Sequence, residues 1–175
     1  MTSRTQGCEI RAATCRIADV PAFLGRVRAV AKQFSTHVIC FNANMLAGKR
    51  HAETALRYAV RSCSKGVAIS NTLEMEALLC ASGSRQCNVA ASFGIHEGEN
   101  RLWVCCYPPS PEIWVALCTD FSFPGNEGEE IIDREKRERL INIFGITLEE
   151  LGTLDNPEKI LDLVLERVAL LEVQR

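Results

Sequence analysis

Hydrophobic residues recur along the chain with two different spacings, and these spacings predict a mixture of strands and helices. Strand-like patterns cover residues 8–17, 37–43, 67–69 and 102–107. The first of these changes phase near Ala13, which predicts a β-bulge. Helical spacing covers residues 19–34, 45–65, 71–82, 85–93, 112–118 and 131–144, and a last helix begins at Asn156-Pro157. Together they predict an α/β fold, a single domain with a small, mostly antiparallel sheet flanked by helices.

The segment 70–86 carries the most specific local signals. Asn71, followed three residues later by Glu74, predicts a helix N-cap with a reciprocal carboxylate. Gly83 predicts the end of the same helix, since glycine adopts the left-handed conformation readily. The helix between them is apolar around most of its circumference, which indicates that it is buried or docked against a partner.

Two polar features of this segment have alternative explanations. Glu76 falls within the apolar surface of the helix, where an unpaired carboxylate is costly. Arg85 follows the helix and predicts a structural ion pair with Glu76. Alternatively, Arg85 and Gln86 offer a guanidinium and an amide to a nucleotide base or phosphate. The sequence allows both roles at once.

Residues 45–65 form the clearest predicted helix, and its start is basic. The opening motif is Gly48-Lys49-Arg50-His51. Cations and free N–H groups at a helix N-terminus suit a phosphate, although a solvated helix start has the same appearance. The motif is not a P-loop, because no glycine lies five residues before Gly48. The outer face carries Arg50, Arg57 and Arg61, which either follow an RNA backbone or form a soluble helix surface.

The last helix has an unusually broad apolar face. Leu165, Val168 and Leu171 belong to it. Either the whole face joins the core, or one side of it binds a protein partner. We take these three residues as the candidates for partner binding.

The charge of the chain changes sign along its length. Residues 1–65 have a net charge of +8, residues 66–126 of −4 and residues 127–175 of −6. A basic first third predicts an anionic partner such as nucleic acid, and the acidic remainder predicts a different partner for another surface. The 175 residues, 47% of them hydrophobic, are enough for one domain over residues 1–175.

Nine cysteines are present without a C-x-x-C motif, and several fall at apolar-periodic positions. They predict core thiols in a reducing cytoplasm. The N-terminus lacks the apolar core of a signal peptide, and no run approaches the length of a membrane span. The three histidines have no metal-ligand spacing. We therefore expect a cytoplasmic protein with no membrane segment, metal or cofactor.

Four motifs in residues 37–107 together resemble one protein family. They are Gly48-Lys49-x-His51 with Ala55 and Ala59, Leu73-Glu74-x-Glu76-x-Leu78-Leu79, Gly83-x-Arg85-Gln86, and Ala90 with Gly94-Ile95. Their order and spacing are similar to those of the small tRNA-binding subunit of the KEOPS complex, also called the PRPK-binding protein family. The resemblance implies a non-catalytic subunit that binds the atypical kinase/ATPase subunit of that complex. The complex makes N6-threonylcarbamoyladenosine beside the anticodon of tRNA.

The resemblance also implies contact with the single-stranded CCA end of tRNA, as in archaeal members. The residues carried over to this role are Lys49, His51, Arg85 and Gln86. Arg50 and Arg57 join them as candidates for the RNA backbone. Two alternatives stay open: a small enzyme that uses a cysteine or Glu76 on a metabolite, and a kinase-binding protein without RNA contact.

Overall fold

Three strands form one antiparallel sheet at the centre of the molecule. The structure is a computed structural model and describes residues 7–125, 132–152 and 156–174. In these ranges the strands are β1 (Glu9–Ile17), β2 (His37–Asn42) and β3 (Gly98–Tyr107). Their order is β1-β3-β2, so β3 is antiparallel to a neighbour on each side. The predicted α/β fold with a small antiparallel sheet is confirmed.

Helices cover both faces of this sheet. In the described ranges they are α1 (Val20–Gln33), α2 (Lys49–Lys65), α3 (Leu73–Ser82), α4 (Cys87–Ala91), α5 (Ile113–Leu117), α6 (Arg134–Phe144), α7 (Leu148–Leu151) and α8 (Pro157–Val173). A 3₁₀ turn at Ala43–Met45 precedes α2. The prediction for 131–144 began at Ile131, which lies outside the described residues.

Capping side chains set several of the helix boundaries. The Asp19 carboxylate accepts an N–H of the first turn of α1, and Thr147 and Glu150 form the capping box of α7. At α3 the N-cap is Thr72 rather than the predicted Asn71. Both residue types cap well, so the sequence located this boundary only to within one position.

Two strand predictions are wrong. The pairing of β1 with β3 is continuous, so no bulge occurs at Ala13. The apolar pattern changes phase because β1 is apolar on both faces: Ile10 packs into one hydrophobic cluster, whereas Ala13 and Ile17 pack into the other. Residues 67–69 form no strand in the structure. The N–H of Ile69 instead donates to a side chain of α3.

The sheet separates two hydrophobic clusters. Phe41 and Trp103 face the larger cluster, to which α2, α3, α6, α7 and α8 contribute. Leu102 and Val104 face the smaller cluster, which contains residues of α1 and α5. This alternation follows from the period of two along β3. The residues predicted to bind RNA or a protein partner therefore belong to the larger helical layer or to the connections within it.

Candidate functional site

His51 lies in the core at the start of α2. Its side chain is fully buried, and its Nδ1 accepts the N–H of Ala47 at 3.1 Å. Nε2 therefore carries the proton and donates it to the carbonyl oxygen of Ala81 at 2.9 Å. Loss of solvent around the ring lowers the pKa of His51 to about 4. The prediction that His51 faces RNA is wrong, because its ring connects the start of α2 to the end of α3.

Glu76 is buried as well, and it anchors the connection that precedes its own helix. Its Oε2 accepts the N–H groups of Ile69 at 2.9 Å and of Ser70 at 2.8 Å. Its position in the first turn of α3 also places its charge near the positive end of the helix dipole. The carboxylate is thus satisfied by the main chain, as a buried charge requires.

The predicted ion pair between Glu76 and Arg85 is wrong. Arg85 is exposed, and its guanidinium donates to the carbonyl oxygen of Gln174 at 2.9 Å. The reason is the turn at Gly83, whose φ is +61°. It leads the chain away from the buried face of α3 and towards α8, where Gly83 lies close to the carbonyl of Arg167.

The other RNA candidates lie on the surface in two groups. Arg50 and Arg57 are exposed on the outer face of α2, whereas Arg85 and Gln86 are exposed between α3 and α4. Lys49 is partly buried at the start of α2. Lys49 lies two residues before His51 at the start of α2, whereas the guanidinium of Arg85 reaches Gln174 at the end of α8. The candidates therefore divide between the start of α2, the turn between α3 and α4, and the outer face of α2.

A cleft of about 680 Å³ lies against the outer face of α2. The residues that line this α2 cleft include Arg50, Glu53, Arg57, Tyr58, Arg61, Tyr107 and Leu165. The guanidinium of Arg57 lies 5.7 Å from the ring centre of Tyr58. Sequence reasoning found the arginines but missed both tyrosines. The sequence signal for Tyr58 was its position next to Arg57 in a helix rich in cations. Tyr107 has no such local signal, because the sheet brings it close to α2.

The apolar face of α8 is used mainly by the core. Val168 and Leu171 are buried, and Leu165 is half-buried at the α2 cleft. The prediction that Val168 and Leu171 bind a partner is therefore wrong for this fold, because α8 packs against α2, α3, α6 and α7. The exposed apolar residues of α8 are Leu170, which is 45% exposed, and Val173, which is 81% exposed.

A third exposed apolar residue lies beside the end of α8. The Ser62 hydroxyl donates to Glu172 at 3.0 Å, which brings the ends of α2 and α8 together. Val67 donates its N–H to the carbonyl of Ser62 and is 49% exposed. Val67 therefore lies near Glu172. We call Leu170 and Val173, which are three residues apart on α8, the α8 apolar patch. Neighbouring exposed apolar side chains are typical of a protein-binding surface.

The model of one family, described as kinase binding protein CGI-121, matches residues 22–172. The chain belongs to the CGI-121 family. The matched range extends from the first turn of α1 almost to the end of α8, so it includes the arginines and tyrosines of the α2 cleft and Leu170 of the α8 apolar patch. No curated protein matches the chain in a sequence comparison.

Two cysteines of this CGI-121 family member, the half-buried Cys15 and the buried Cys106, have the properties of core residues. Desolvation raises the pKa of the Cys15 thiol to about 11 and that of Cys106 to about 12. A nucleophilic cysteine needs a lowered pKa, so these two thiols do not fit that role. Within residues 7–125, 132–152 and 156–174, no three His, Cys, Asp or Glu side chains gather as metal ligands.

None of the helices described for this family member combines the length and apolar character that a membrane span requires.

Proposed function

We propose that the chain is a non-catalytic, cytoplasmic subunit of a KEOPS-type tRNA-modification complex. In this role it binds the atypical kinase/ATPase subunit and recruits tRNA through the CCA end for N6-threonylcarbamoyladenosine synthesis. The observation that carries the proposal is the match of residues 22–172 to a kinase-binding family. The motifs in residues 37–107 support the tRNA-binding half of the proposal, because they resemble those of the small tRNA-binding subunit of that complex.

The kinase half of the proposal is supported by the α8 apolar patch. Leu170 and Val173 lie one turn apart on α8 and leave much of their apolar surface in water. Covering a fully exposed Leu or Val side chain contributes about 1.5–3 kcal/mol, so a partner gains part of this energy at Leu170, which is 45% exposed, and most of it at Val173, which is 81% exposed. The free energy gained by covering both side chains is therefore enough for the patch to act as the centre of a protein interface.

Charge introduced into the α8 apolar patch is expected to disrupt kinase binding. The double variant Leu170→Asp/Val173→Asp should bind the purified kinase subunit about 100-fold more weakly, equivalent to about 2.7 kcal/mol, because two carboxylates would be desolvated. Isothermal titration calorimetry measures the change. Neither residue is buried, so thermal unfolding should stay close to that of the wild type.

The matched control for this experiment is Val115→Asp on α5. Val115 is 79% exposed and belongs to the helical layer on the opposite face of the sheet. Its substitution should leave kinase affinity unchanged. Weaker binding by Val115→Asp, together with wild-type binding by the double variant, would place the kinase interface on the α5 side instead.

The tRNA half is supported by the exposed polar groups of the larger helical layer. Arg50, Arg57 and Arg85 offer guanidinium groups that suit phosphates, and Gln86 offers an amide for a base edge. His51 is not part of this set, because it is buried. The remaining exposed groups suit an unpaired RNA strand better than a double helix, because unpaired bases expose their faces and edges to side chains.

Removal of the CCA end is expected to weaken tRNA binding by about tenfold or more, since each stacked base contributes about 1–3 kcal/mol. Contact with about three phosphates predicts a slope near −2 for the logarithm of affinity against that of salt concentration. Fluorescence anisotropy with intact and trimmed tRNA at several salt concentrations measures both quantities. Equal affinity for the two tRNAs would contradict CCA recognition, and kinase binding without any tRNA binding would favour the kinase-only alternative.

A further inference from the structure

We propose that the α2 cleft is the site that holds an unpaired RNA segment, with arginines on its phosphates and tyrosines against its bases. This inference rests on the proposed function and gives it a location. The family resemblance points instead to Lys49, Arg85 and Gln86. The two locations carry different residues, so experiment can separate them.

The positive charge of the α2 cleft is arranged along one helix face. Arg50, Arg57 and Arg61 are exposed, and within the described ranges none of them forms an ion pair. At a rise of about 1.5 Å per residue they lie roughly 10 Å and 6 Å apart along α2. The three arginines therefore form a row along which the phosphates of an extended strand can run. Glu53 also lines the cleft, so three guanidinium groups outnumber one carboxylate.

The aromatic residues of the α2 cleft favour RNA over an acidic peptide. Tyr58 comes from α2 and Tyr107 from the end of β3, and both are partly exposed. Sites for single-stranded nucleic acid combine cations with aromatic rings on which bases stack. An acidic peptide would pair with the arginines but offers no regular series of flat rings to stack on the tyrosines, whereas every base of an unpaired RNA strand does.

The size of the α2 cleft limits what it can hold. Its volume of about 680 Å³ is in the range of pockets that enclose one small molecule. A segment of one or two nucleotides fits this space, whereas a folded tRNA does not. The cleft therefore suits the end of an RNA strand.

The first test measures binding of a short fluorescein-labelled RNA that ends in CCA. The variant Arg57→Gln/Arg61→Gln should bind about tenfold more weakly and should lower the slope of the salt dependence by about 1.4, since each single-strand phosphate contributes about 0.7. The matched control is Arg28→Gln/Lys32→Gln. These exposed cations lie on α1, in the other helical layer, and their loss should change neither quantity.

A second variant separates stacking from charge. Tyr58→Leu should weaken binding about 5- to 100-fold, the loss of one stacked base, while the slope of the salt dependence stays at the wild-type value. A variant that is merely misfolded would lower both quantities. Thermal unfolding of each variant identifies that case.

The outcomes separate the location from the function. If the wild type binds RNA but Arg57→Gln/Arg61→Gln binds it equally well, the α2 cleft is not the site and RNA recruitment stands. If the wild type binds neither the short RNA nor intact tRNA, the RNA half of the proposed function fails as well. If Arg57→Gln/Arg61→Gln loses affinity for the kinase subunit and keeps its affinity for RNA, the cleft binds protein and the inference is overturned.

Discussion

The substitution Glu76→Ala is expected to lower the free energy of unfolding by about 4 kcal/mol. Oε2 of Glu76 accepts two main-chain N–H groups, and each donor left without an acceptor in a buried site costs about 1–3 kcal/mol. The lost side-chain volume adds a cavity to this cost. Urea denaturation followed by circular dichroism measures the change.

Two further variants show whether the hydrogen bonds are responsible for this loss. Glu76→Gln keeps a carbonyl oxygen that can accept both N–H groups, so it should cost only about 1–2 kcal/mol. Glu74→Gln removes the negative charge beside His37 at the surface, where Nδ1 of His37 and Oε1 of Glu74 are 2.8 Å apart, and should cost less than about 1 kcal/mol. Equal losses for Glu76→Ala and Glu76→Gln would show that the negative charge, rather than the acceptor oxygen, stabilises the connection before α3.

Acidification between pH 6.5 and about pH 4 is expected to remove about 3 kcal/mol of stability through His51 alone. Burial lowers the pKa of His51 from 6.5 to about 4, so in this window the unfolded chain binds a proton that the native protein does not. The free energy of unfolding therefore falls as the pH falls. The full contribution is present above pH 6.5. Protonation of Nδ1 would also remove the acceptor for the N–H of Ala47.

His51→Gln is expected to lack this part of the pH dependence, because an amide does not titrate. The variant will be less stable than the wild type at neutral pH, so the informative quantity is the change in unfolding free energy between pH ~7 and pH ~4.5. His96→Gln, at an exposed position, should retain the wild-type change. If His51→Gln loses as much stability on acidification as the wild type, groups other than His51 cause the effect.

Local signals explain which parts of the fold the sequence predicted. Thr147 and Glu150 sit three residues apart at the start of α7, and both capping bonds form. Gly66 and Gly83 end α2 and α3 in the left-handed conformation. Each of these features depends on neighbours within one helical turn, so a single sequence contains the necessary information.

The candidate site was harder to predict, because side-chain direction depends on packing between distant segments. His51 precedes the buried Ala55 by four residues, so both lie on the same stripe of α2. That spacing predicts that the His51 side chain points into the core. The basic residues beside it suggested an exposed, phosphate-binding position instead. Arg57 and Arg61 lie on the opposite face and are exposed as predicted. The approach of Tyr107 to α2 depends on the sheet and has no signal in the local sequence.

The order of strands in the sheet has a consequence for synthesis of the protein. β1 and β2 leave the ribosome first, yet neither pairs with the other, because both pair with β3. The apolar residues of β1 and β2 therefore have no sheet partner until residues 98–107 have emerged from the ribosome. Long-range pairing of this kind forms slowly and leaves apolar segments exposed in the nascent chain. A chain that stops within α4 contains two of the three strands and neither of their pairings.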